Sequence, residues 1–165
     1  MTNLEKTVHL LYSILEMNYR DFRIYSHASR RCKKLLFRNF LIGAADQKKS
    51  FCKRIRHEIE SIESQIKNDQ GNFVSKVDMK NIPSPVLPVF SIEKDGLIKE
   101  CYRREKQNIG NYQNLLSKIN LGNLREMLLF QKHSIQLILL EIEGFGLNIY
   151  EDLDEENNEE EMKYG

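Results

Sequence analysis

Apolar residues recur at steps of three and four through most of the first 145 positions, a spacing that admits amphipathic helices and little else. The first series runs Leu4, Val8, Leu11, Leu15, Asn18, Phe22 and Tyr25. The second runs Leu36, Phe40, Gly43, Gln47, Phe51, Ile55, Ile59, Ile62 and Ile66. The third takes in Ile98, Cys101, Glu105, Asn108 or Ile109, Tyr112, Leu115 and Ile119, and the fourth Leu124, Leu128, Gln131, Ile135, Ile138 and Ile142. The spacing predicts helices over 3–29, 33–67, 96–119 and 123–144. Thr2 or Asn3 suits the N-cap of the first and Asp95 that of the third.

Residues 68–95 break the pattern. Asn-Asp-Gln-Gly-Asn opens this segment as turn chemistry, and Pro83, Pro85 and Pro88 exclude helix further on. An extended chain of that length reaches up to roughly 90 Å, enough to cross a bundle end to end. The short links on either side make two antiparallel hairpins. The expected fold is therefore all-α, a four-helix bundle over residues 1–149 with one long crossover between helices 2 and 3, the ferritin-like arrangement. Residues 150–165 carry eight acids and one lysine, which leaves 24 basic and 16 acidic residues in 1–149. Such a tail has too little apolar surface to pack and is expected to be a solvated, disordered appendage.

Three cysteines without CxxC spacing make neither a disulfide framework nor a zinc site. No apolar run follows a basic start, and no stretch approaches the roughly 18 apolar residues of a membrane span. The expected setting is cytoplasmic, with no membrane partner. No nucleophile elbow, phosphate-cradling loop or dinucleotide fingerprint is present, which points away from an enzyme. Ten Lys or Arg between Arg30 and Arg56, against Asp46 alone, raise the question of nucleic acid. They are spread around the helix without any nucleic-acid-binding signature, so a solvated face is expected, across which the acidic tail could lie.

Each series holds a polar residue where an apolar one would pack better: Asn18, with Glu16 beside it, then Gln47, Glu105 and Gln131. Burying such groups without partners costs roughly 1–3 kcal/mol each, so they are expected to meet in one buried polar layer. Di-iron carboxylate bundles place a Glu on each of two helices and a Glu-x-x-His on each of the others. Here the corresponding slots read Gln47-Lys48-Lys49-Ser50 and Gln131-Lys132-His133-Ser134, and no Glu-x-x-His occurs anywhere. A carboxamide brings no charge and a serine hydroxyl is a poor ligand for iron or manganese. No metal and no cofactor are expected. Tyr25, Tyr112 and His133 are the candidates for lining a ligand, with His133 beside the core rather than at its centre.

With these slots in view, the chain resembles the uncharacterised bacterial ferritin-like bundles grouped as a domain of unknown function. The features are Tyr19-Arg20-Asp21-Phe22 with Tyr25, Phe40-x-x-x-Ala44 followed by Gln47, Cys101-x-x-x-Glu105 with Tyr112, and Gln131-Lys132-His133. The likeness covers residues 4–143 and implies a ferritin-like fold without an established activity, with a link to stress physiology as for other ferritin-like relatives. The function expected is a non-enzymatic helical interaction or structural module. The alternative is a metal-dependent oxidase or iron-handling protein with ligands drawn from Glu16, Glu105 and His133. Phe37, Leu41, Met127 and Leu137 lie off the series, more apolar surface than one core needs, and predict a homodimer; no protein partner can be named from the sequence.

Overall fold

The computed structural model describes residues 1–70 and 94–145, and these are all-helical. Helix α1 spans Asn3–Arg31, α2 Leu35–Gln70, α3 Lys94–Leu116 and α4 Gly122–Phe145. Most of the expected crossover, and all of the acidic tail, lie outside the described residues. The described ends of the segment 68–95 belong to helices, since α2 runs on to Gln70 and α3 begins at Lys94. Asp95 thus falls within α3 instead of capping it.

Local chemistry accounts for the helix ends. Thr2 accepts from the Glu5 backbone N–H while the Glu5 carboxylate accepts from that of Thr2, a reciprocal capping box that satisfies two otherwise orphaned donors. Arg30 and Arg31 sit in the last turn of α1, where a positive charge suits the helix dipole. Helix α3 stops at Leu116, three residues before the expected end. Ile119 is still buried, because the chain turns it back into the core. The Arg125 guanidinium, reaching across from α4, donates to the carbonyls of Leu116 and Ile119 and so satisfies the frayed end.

Two apolar clusters give the helix directions. One joins the start of α1 (Val8 to Leu15), the end of α2 (Phe51 to Ile66), the end of α3 (Tyr112 to Ile119) and the start of α4 (Leu124 to Ile135). The other joins the end of α1, the start of α2 (Phe37 to Ala45), the start of α3 (Leu97 to Tyr102) and the end of α4. Within each hairpin the helices are antiparallel, whereas α2 and α3, consecutive in the chain, point the same way. Each fully buried Leu, Ile or Phe contributes about 1.5–3 kcal/mol relative to exposure. The helix backbones approach closest within the hairpins, α1 to α2 and α3 to α4, and stand further apart between them, where the side chains of the two clusters meet.

One series is displaced from the sequence reading. In the first half of α2 Phe37, Phe40, Leu41, Ala44, Ala45 and Lys48 are buried, so Phe40 of the expected series faces inward, while Leu36 and Gly43 are exposed and the stripe is otherwise moved by one residue. Phe37, Leu41 and Met127 therefore belong to the core and not to a surplus; of the four residues named for self-association only Leu137 is exposed. No helix among the described residues is long and apolar enough to cross a membrane.

Candidate functional site

Between the two apolar clusters lies a buried polar centre. Its hub is Glu105 on α3, fully buried. Lys48 on α2 donates to Glu105 Oε2 at 2.8 Å, and its side chain is equally inaccessible. The Tyr25 hydroxyl on α1 donates to Glu105 Oε1 at 2.6 Å. Asn108, one turn along α3, donates to Asp21 Oδ2 at 2.7 Å and to Glu105 Oε2 at 3.4 Å. Arg104 completes the group with bonds to Asp21 and Glu100, each of 3.2 Å. Two buried anions, Asp21 and Glu105, thus face two cations, Lys48 and Arg104.

A second chain of bonds lies one layer away. Asn18 Nδ2 donates to the Ile14 carbonyl and to the Tyr112 hydroxyl, each at 2.9 Å, and that hydroxyl donates to Gln131 Oε1 at 2.6 Å. Among the buried side-chain atoms of the described residues, Asn18 Oδ1 and Arg104 Nε have no hydrogen-bond partner there. Removal from water raises the pKa of the Tyr25 and Tyr112 hydroxyls, so both remain proton donors. Neighbouring Glu105 adds to the rise at Tyr25, while the bond from Asn18 works against it at Tyr112.

These bonds join the hairpins in the zone between the two apolar clusters. Tyr25–Glu105, Asp21–Arg104 and Asn18–Tyr112 join α1 to α3, and Lys48–Glu105 joins α2 to α3. Where the hairpin backbones stand further apart, long polar side chains reach across. Lys48 fits the periodicity of an inward stripe, but spacing alone does not place a lysine inside, because a buried ammonium is costly until a counter-ion meets it. Asn108 is already a member of the third series as an alternative to Ile109, and Asp21 sits at helical spacing from Tyr25.

Of the expected layer, Asn18, Glu105 and Gln131 are buried and take part in these bonds. Gln47 is half-buried, accepting from Lys48 at 3.4 Å and donating to the Ser134 carbonyl at 3.3 Å. Glu16 does not belong: it lies at the surface, paired with Arg20 at 2.6 Å, because the turn of the helix carries it away from Asn18. Tyr25 and Tyr112 are buried within the centre and His133 is exposed on the outer side of α4. Glu16, Glu105 and His133 therefore do not come together, and among the described residues no three His, Cys, Asp or Glu side chains converge as metal ligands.

Among the described residues, fold and centre define an all-α, four-helix architecture with an ion-paired polar interior. Set against family models, curated proteins and solved structures, the chain matches none of them.

Proposed function

We propose that this chain is a ferritin-like, non-enzymatic interaction module whose interior is held by a lysine–carboxylate network instead of a di-metal site. The observation that carries this reading is the Lys48–Glu105 pair. The ammonium already supplies the positive charge that a buried carboxylate at the middle of a bundle requires. Glu105 also receives Tyr25 and Asn108, so a metal would have to displace donors on both oxygens. Two antiparallel hairpins, with α2 and α3 running the same way, support the ferritin-like reading of the fold.

The surface for a partner is the outer face of α4. Glu126, Phe130, His133, Leu137 and Leu140 are all exposed and follow a 4-3-4-3 spacing, the seam that a second helix packs against. Phe130 is 67% exposed and Leu140 61%, with Leu129 and Leu137 alongside at about half. Such a patch, on the order of a few hundred Å², is comparable to the largest apolar patch of a typical monomer, which is often a functional surface. A second copy offering the same seam doubles that apolar area, so a homodimer is the partner this face fits.

Elemental analysis of protein purified without chelators tests the first half of this reading. The expected result is no stoichiometric iron, manganese or zinc; two transition-metal ions per chain would refute it. Light scattering tests the second half, with a mass of twice 19.5 kDa expected. A monomer at high concentration would remove the dimer and leave the reading of the interior standing.

A further inference from the structure

The segment where α1 turns into α2 is uniformly cationic, while the end of α4 at the same end of the bundle adds Glu141 and Glu143. No acid occurs between Asp21 and Asp46. Arg30, Arg31, Lys33, Lys34 and Arg38 are all exposed, and none is ion-paired to a carboxylate among the described residues. Five like charges within nine residues repel one another, and an anion laid across them would relieve that repulsion.

Helix α4 finishes at the same end. The Phe145 ring lies 5.4 Å from that of Phe37 and 5.4 Å from that of Phe40, so the last residue of α4 rests on the first turns of α2. Phe37 is the immediate neighbour of Arg38 in the chain. Six residues beyond Phe145 the acidic run begins, and from Glu151 to Glu161 it holds eight acids and no base. Six extended residues reach about 20 Å at most. The most acidic segment of the chain thus starts within about 20 Å of the end of α4, and a tether that short gives it a high effective concentration near these cations.

We propose that residues 151–161 dock on this basic end of their own chain, where they act as a built-in competitor for any polyanionic partner. The tether favours the intramolecular contact, and the charges favour this surface over the rest of the bundle. The inference is independent of the interaction-module reading, since it needs neither the metal-free interior nor the dimer.

A native thiol allows a direct test. Cys32 is half-buried between Arg31 and Lys33, whereas Cys52 and Cys101 are buried and removal from water pushes their thiols up to about 12. A nitroxide reagent applied to the folded, full-length protein near neutral pH therefore marks Cys32. Nuclear magnetic resonance then reads the amides of residues 151–161. At about 20 mM salt they should lose more than half their intensity to the nitroxide, and at about 1 M salt, where the screening length is near 3 Å, they should regain it. The Lys33→Glu, Lys34→Glu variant alters two exposed residues outside the helices and should restore the intensity at low salt with an unchanged circular dichroism spectrum.

Full intensity at low salt would overturn the proposal, as would broadening indifferent to salt or to those substitutions. Equal broadening in a mixture of spin-labelled and isotope-labelled chains would place the tail on another copy and overturn the intramolecular contact. A second measurement uses a short DNA duplex as the competing polyanion. Replacing Glu155, Glu156, Glu159 and Glu160 by Gln in the full-length chain should tighten its low-salt binding by about tenfold, since fewer tethered charges compete for the same cations. Unchanged affinity would also overturn the proposal.

Discussion

Lys48 Nζ and Glu105 Oε2 lie 2.8 Å apart, and neither side chain is exposed. The residues belong to different hairpins, 57 positions apart in the chain, so their contact forms only when the hairpins close on each other. Taking both charges out of water costs several kcal/mol per ion, offset by mutual attraction and by the bonds from Tyr25 and Asn108. A pair of this kind contributes less to net stability than to the choice of one arrangement among several. A hairpin displaced by one turn would leave both ions buried and unpaired.

Lys48→Met should therefore destabilise the protein by about 3–5 kcal/mol, because Glu105 remains buried without its cation. Adding Glu105→Gln, which removes the stranded charge but still accepts from Tyr25, should recover most of the loss. Urea unfolding of the two variants checks both statements. A cost for Lys48→Met below about 1 kcal/mol, the range of surface pairs, would contradict the assignment.

Asp21 gives a signed pH dependence. Burial raises its carboxyl above the ordinary 3.8, and Lys48, the Asn108 bond and Arg104 pull it only part of the way back. A folded-state pKa above the unfolded value means that the folded protein holds the proton more tightly. This contribution to stability is fully present below 3.8 and is lost as pH rises through the folded pKa. Asp21→Asn lacks it, so the stability of the native protein relative to the variant should fall as pH rises from that value. Chemical unfolding at a series of pH values measures the difference, and one that increased with pH would contradict the prediction.

Gly43 and Gly110 lie inside α2 and α3, are exposed, and leave space for a Cβ, with nothing within 4 Å of it. Alanine at either position should stabilise the protein by about 0.5–1 kcal/mol, by restricting the unfolded chain and favouring the helix. Thermal unfolding should show the two gains adding, since the sites are on separate helices.

On α4, Phe130→Glu with Leu137→Glu should convert a dimer to a monomer by light scattering. Both side chains are exposed in the single chain, so its own unfolding free energy should change by no more than about 0.5 kcal/mol. Loss of folding in the double variant would mean that these residues serve the core.

The helices were legible because the interval between successive apolar residues is a property of one segment at a time. Val8, Leu11 and Leu15 would line one stripe of α1 whatever that stripe touched, and Leu124, Leu128 and Ile135 do the same for α4. The polar interruptions at Asn18, Glu105 and Gln131 were legible for the same reason. Glu16 was misplaced because adjacency in sequence is not adjacency on a helix, where a two-residue step turns a side chain well away from its neighbour.

The identity of the polar centre had a different origin. In α2 the positions Leu36, Phe40, Gly43 and Gln47 and the positions Phe37, Leu41, Ala44 and Lys48 satisfy the same periodicity, one residue apart. Local pattern favours the stripe ending in a neutral glutamine over the one ending in a lysine. The fold selects the lysine because α3 brings Glu105 opposite it, with Tyr25 and Asn108 in support. The sequence by itself determined four amphipathic helices and which of their faces turn inward for most of their length. Only the tertiary structure decided that a cation lies among them, because whether a buried charge is tolerable depends on the partner that meets it from another helix.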